Sequence, residues 1–169
     1  MKIRFLSFNI YLLLLAFFSG CQTDPHKKEF STLRFHIETN SGGLDKSNAV
    51  PIYRAEPVSV NVVRIPFLDE GNISRAAIVE SMGGFSIQIQ FDRHGAFVLE
   101  TVTAANKGRR VALYSQFGQK GRWLAAPIIS QPITEGVFIF TPDASREEAE
   151  RIVHGLNQIA KKLKKQTRV

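Results

Sequence analysis

Enzyme chemistry needs a nucleophile, a general acid or base, or a metal cage, and this 169-residue chain is poor in all three. Its four histidines, His26, His36, His94 and His154, show no metal-ligand spacing with one another or with carboxylates. No Gly-x-Ser-x-Gly elbow is present to expose a serine. Gly83-Gly84 stands at a strand start but lacks the lysine of a phosphate loop. Glu147, Glu148 and Glu150 look like a catalytic cluster until their place is considered. They fall in the first turn of a helix, where negative charge offsets the helix dipole. His36 lies on the polar face of an alternating strand and reads as a solvated surface histidine. The expectation is a protein without catalytic residues, metal or cofactor.

The one cysteine, Cys21, admits no intramolecular disulfide. Lys2 and Arg4 precede an apolar run from Phe5 to Phe18, and Ser19-Gly20 follow. This pattern predicts an export signal over residues 1–20, too short to read as a spanning helix. Phe18-Ser19-Gly20-Cys21 resembles the lipobox of bacterial lipoproteins, which implies an acylated Cys21 holding the chain on a membrane. Two or more acyl chains, at about 0.8 kcal/mol per buried methylene, make a lasting anchor. Residues 21–31 then read as the lipidated cysteine and a polar tether, and residues 32–169 as one domain. Cleavage after Gly20 removes only Lys2 and Arg4 among the charges, so the net charge falls from +7 to +5. The basic residues are dispersed except near the end, so nucleic acid is not an expected partner.

The elements follow from periodicity. Phe85 to Phe91 alternates without error and predicts a strand burying Phe85, Ile87, Ile89 and Phe91. Leu33-Arg34-Phe35-His36-Ile37 predicts a first strand, Val58 to Ile65 a second and Ala76 to Ser81 a third, the last hairpinned onto Phe85–Phe91 through Met82-Gly83-Gly84. Asp92 is placed to cap a helix with inner residues Ala96, Leu99, Thr103 and Asn106, stopped at Gly108. Strands are expected over Arg110–Phe117, Arg122–Ser130 and Gly136–Thr141, the last with Val137 and Ile139 inward. Ser145 and Glu148 form a capping box for a final helix, whose apolar stripe is Ala149, Ile152, Val153, Leu156, Ile159, Ala160 and Leu163. The class is α+β: a mixed, largely antiparallel sheet with two helices packed on one face.

Several short motifs carry a family likeness. They are Phe91-Asp92-x-x-Gly95-Ala96, Asn106-x-Gly108-Arg109-Arg110-Val111-Ala112, Ala126-Pro127-Ile128-Ile129 and Gln131-Pro132-Ile133-Thr134, closing with Ser145-Arg146-Glu147-Glu148-Ala149-Glu150 and Leu156-Asn157. In order and spacing they resemble the head subdomain of the first periplasmic domain of SecD, the protein-export translocase subunit. The resemblance implies an α+β head that handles unfolded preproteins without chemistry. SecD continues into transmembrane helices bearing proton-linked carboxylates, whereas this chain stops at Val169, so translocase activity itself does not carry over. Phe138-Ile139-Phe140-Thr141-Pro142 also replaces the family's glycine-rich turn.

The expected role is a lipid-anchored protein of the bacterial envelope, facing the periplasm and binding unfolded polypeptide or Sec translocase components. The alternative is a structural or scaffolding lipoprotein that has left export. Phe117, Trp123 and Phe138 are the candidate polypeptide-binding side chains, with a core role as their other reading. Lys161, Lys162, Lys164 and Lys165 read either as a solvated helix end suited to the dipole or as a patch touching lipid or a partner.

Overall fold

The structure, a computed structural model, describes residues 30–40 and 47–166. The signal, Cys21 and nearly all of the tether lie outside the described residues. Among the described residues, eight strands and two α-helices follow in the order β1 (Ser31–Ile37), β2 (Ser47–Ile52), β3 (Val58–Val63), β4 (Ile73–Ser81), β5 (Gly84–Phe91), α1 (Arg93–Ala105), β6 (Val111–Phe117), β7 (Lys120–Ala125), β8 (Val137–Phe140) and α2 (Arg146–Gln166). The α+β class is observed, and every strand pairing is antiparallel. The strands divide into a sheet β1-β6-β7, a hairpin β2-β3 and a sheet β4-β5-β8.

Local chemistry explains the boundaries. The β4–β5 hairpin turns through Met82 and Gly83, pairing Ser81 with Gly84, and Gly83 takes φ 83°, a region that costs a β-carbon dearly. Asp92 accepts from the Gly95 amide at 2.7 Å and starts α1. Gly108, at φ 85°, ends the turn after it. The capping box of α2 is reciprocal: the Ser145 amide donates to the Glu148 carboxylate at 3.0 Å, and the Glu148 amide donates to Ser145 Oγ at 3.2 Å.

The main core lies between the two three-stranded sheets and α2. Leu33, Phe35, Ile87, Ile89, Leu113, Leu124, Ile152 and Leu156 are all buried there. Burying each is worth roughly 1.5–3 kcal/mol. Phe35 sits at its centre, edge-on to Phe91 at 5.2 Å and to Phe138 at 5.5 Å. Gly155 lets α2 approach β1 so closely that a β-carbon there would lie 2.6 Å from the Ser31 backbone nitrogen. A second, smaller core of Val50, Ile52, Val60, Val62, Ala112 and Ala126 fills the space under the β2–β3 hairpin.

Four expectations are corrected. First, β8 buries Phe138 and Phe140 and leaves Ile139 55% exposed, the reverse of the predicted face. Its register sets Phe138 opposite Ile89 and Phe140 opposite Ile87, so the larger aromatic area turns inward. Second, β7 stops at Ala125 rather than reaching Ser130. Pro127 has no N–H to extend a ladder, and the chain beyond it tracks residues 109–111 instead through bonds such as Val111 N–H to Pro127 O at 2.9 Å. Third, β2 was not foreseen: Ser-Asn-Ala-Val-Pro-Ile alternates weakly and carries Pro51, which a two-stranded hairpin tolerates at its edge. Fourth, His36 is 7% exposed, not solvated. Its Nδ1 donates to the Val63 carbonyl at 2.8 Å and its ring stands edge-on to Trp123 at 5.2 Å. Burial pushes this imidazole below its ordinary pKa, the Val63 bond opposing and Arg34 adding to the fall.

A candidate polypeptide-binding edge

The three aromatic candidates do not gather into a surface. Phe117 is fully buried and Phe138 is 5% exposed, so both belong to the core and neither can meet a ligand. Their strands put them on inward faces, where large apolar area is best spent. Trp123 is half-buried, packing against the second core and standing edge-on to Tyr114 at 5.3 Å. Its ring is already engaged.

What the sheet β4-β5-β8 offers instead is an asymmetry between its two edges. The β4 edge is blocked at Ala76 by a side chain from α2. Asn157 accepts from the Ala76 amide at 2.9 Å and donates to the Ala76 carbonyl at 2.9 Å, filling the place of a neighbouring strand. Lys164 adds a longer contact to the Ser74 carbonyl at 3.4 Å.

Among the described residues, the β8 edge has no such cover. The Phe91 amide bonds Gly136 O at 2.9 Å, and from there the antiparallel register alternates through Ile89–Phe138 and Ile87–Phe140. The backbone groups of Val137 and Ile139 therefore point away from β5. No described residue hydrogen-bonds to them. Ile139 presents its side chain on the outward face beside Gln88, its cross-strand partner.

This edge runs into a cleft of about 610 Å³ lined by Tyr53, Ala55, Glu56, Val58, Thr141, Pro142 and Asp143. Tyr53 and Val58 are exposed apolar groups on its far wall, at 38% and 46%. Tyr53 holds φ 67°, a strained conformation for a bulky residue, of order 1–3 kcal/mol. The wall is fixed by Arg54, whose amide donates to Asp143 Oδ2 at 2.8 Å and whose Nε lies 3.3 Å from both carboxylate oxygens.

Behind the cleft lies an ionic knot that the sequence alone did not reveal. Arg122 donates to both Glu148 oxygens, at 3.0 and 2.7 Å, and to the Asp143 carbonyl at 3.0 Å. Its guanidinium carbon stands 5.2 Å from the Phe117 ring centroid. The Arg122 bonds, the Ser145 amide and nearby Arg54 hold the Glu148 carboxyl down to about 2, against an opposing desolvation. Glu148 thus caps α2 and ties it to β7. Its chemistry is structural, because both oxygens are occupied.

The motif residues prove to be fold-holding as well. Asp92 caps, Gly95 admits Asn72 and Phe91, Gly108 turns, the Ile133 amide donates to the Thr103 hydroxyl at 3.0 Å, and Asn157 holds the edge of β4 at Ala76. Lys161, Lys162, Lys164 and Lys165 are exposed on the last turns of α2, far along the helix from its cap.

Comparison with known proteins agrees with this architecture. The profile of the family described as SecDF, P1 head subdomain, matches residues 48–160. A solved structure of a membrane component SecDF that enhances protein export superposes with a TM-score of 0.54 at 22% identity, covering 76% of this chain and 63% of that one. A crystal structure of SecDF in a super-membrane-facing form gives the same TM-score and identity, with 76% of this chain against 19% of that one. This chain therefore spans less than two thirds of the first structure and about a fifth of the second. No curated protein sequence matches it.

Proposed function

Because this chain belongs to the SecDF P1 head subdomain family, we propose that it is a lipid-anchored, non-catalytic envelope head acting in protein export. It binds extended polypeptide along the unpaired edge of β8. Acylated Cys21 tethers it to the membrane on the periplasmic side, where export substrates emerge and where Sec translocase components are within reach. The observation that carries the reading is the open edge leading into the Tyr53–Val58 cleft. An incoming strand gains main-chain hydrogen bonds from Val137 and Ile139, and its side chains settle beside Ile139 and in the cleft. Such pairing is tolerant of sequence, which suits a protein that must accept many substrates. The relative's role in enhancing protein export supports the same direction.

The test uses the full chain and a reduced, alkylated polypeptide that cannot fold. Wild type is expected to bind it at micromolar concentration by fluorescence anisotropy. Ile139→Pro removes an outward N–H from an edge position, where proline is tolerated, and should weaken binding at least tenfold with little change in thermal stability. Trp123→Ala should leave affinity near wild type while lowering stability. Absence of wild-type binding at high micromolar concentration, or unchanged binding by Ile139→Pro, would refute edge pairing; the former would favour the scaffold.

A further inference from the structure

We infer that the C-terminal end of α2, together with Phe30, is a contact for an anionic lipid surface that seats the head on the membrane its anchor enters. The inference rests on the anchoring of Cys21 proposed above.

Lys161, Lys162, Lys164 and Lys165 are all exposed, and none pairs with a described carboxylate. A shallow groove of about 480 Å³ runs between these lysines and Phe30, with Gln158 as its remaining lining residue. Phe30 is 50% exposed, and the Lys162 ammonium stands 5.4 Å from its ring centroid. A neighbouring cavity carries the charge on through Arg75 beside Lys161 and Lys164, again without an acidic residue. Cations that merely answered the helix dipole would be needed only in the last turn. Here the charge spreads sideways over β4 and around an exposed aromatic ring, the pairing of groups that suits a headgroup boundary.

Tether length makes the placement geometric. Nine residue steps separate Cys21 from Phe30, and Lys27 and Lys28 lie among them. At about 3.3–3.6 Å per residue they reach about 30 Å at most. Phe30 touches the lysine-bearing end of a 21-residue helix that is itself about 30 Å long. The anchor therefore pulls this end of the head, and not the capped end, toward the bilayer. An anionic leaflet then rewards each lysine with roughly fivefold in occupancy of the seated state.

The test uses the full chain expressed in a bacterium that processes lipoproteins, mixed with vesicles of phosphatidylcholine alone or with 30 mol% phosphatidylglycerol, followed by flotation and by the rate of amine acetylation at each lysine. The expected result is flotation on both, with Lys162 and Lys165 reacting at least fivefold more slowly on the anionic vesicles. High salt should abolish that protection, and Lys107, on the turn after α1, should serve as an unchanged reference. Flotation on both with equal lysine reactivity overturns the lipid contact and leaves the anchor standing. Flotation on anionic vesicles alone, lost when the four lysines are changed to glutamine, overturns the anchor and upholds the contact. No flotation on either refutes both.

Discussion

Replacing Glu148 by glutamine isolates the ionic knot behind the cleft, and its consequence can be worked from the geometry. The change keeps the shape and one acceptor but removes the charge that holds Arg122 by two bonds of 3.0 and 2.7 Å and weakens the reciprocal cap. Both side chains are 18% exposed, between the surface pairs worth about 0–1 kcal/mol and the buried ones whose rupture costs about 3–5 kcal/mol. The depressed carboxyl gives an independent bound. A fall from 4.5 to about 2, at about 1.36 kcal/mol per pH unit, caps the contribution near 3.4 kcal/mol, and solvent screening lowers it. A loss of about 2 kcal/mol at neutral pH satisfies both. Because the folded carboxyl is depressed, its stabilisation is fully present above about pH 4.5 and disappears as pH falls through about 2. Urea denaturation of the full chain at pH 7, 4 and 2 should show the gap between wild type and Glu148→Gln closing as pH falls. Glu147→Gln, exposed in the same turn, should track wild type throughout. A gap that persisted unchanged at pH 2, or a larger loss for Glu147→Gln, would refute the assignment of Glu148.

Other substitutions probe the packing. Leu156→Asp places an unpaired charge in the main core, where Leu156 is 1% exposed, and should unfold the head by circular dichroism. Gly155→Ala gains helix propensity but meets the Ser31 backbone, so a net cost of about 1–3 kcal/mol is expected in denaturant titration. Asn157→Leu strips both partners from Ala76 and should cost about 2 kcal/mol, with faster hydrogen exchange at the Ala76 amide as its local signature.

Elements that satisfy a local rule were legible in the sequence. The β5 strand, the Met82–Gly83 turn, the Asp92 cap and the Ser145–Glu148 box each need only a few neighbouring residues, and each stands in the structure, although at the start of β5 Ser86 is buried and Phe85 only partly so. What was misread depends on partners distant in the chain. Val-Phe-Ile-Phe is apolar at every position, so only its pairing with β5 could choose the inward face. His36 owes its burial to β3 and β7. Arg122 and Glu148 lie 26 residues apart, and no periodicity links them. The open edge of β8 was the least legible feature, because being an edge is a property of sheet order and not of any residue. Phe117 and Phe138 were attractive as large aromatics, and the same size is what placed them in the core.

The two unlike edges of the β4-β5-β8 sheet also set how copies of this head can meet. A fibre of stacked sheets needs an exposed strand at both ends of each unit, one to give and one to receive. Asn157 blocks one end here at Ala76. Two heads can still join β8 to β8 about a two-fold axis, which consumes the open strand of each and leaves the two β4 edges outermost, each blocked at Ala76 by Asn157. Growth beyond a pair would have to use the β4 edges, against which α2 packs. The open strand is thereby more readily consumed in a pair than extended into an unlimited assembly.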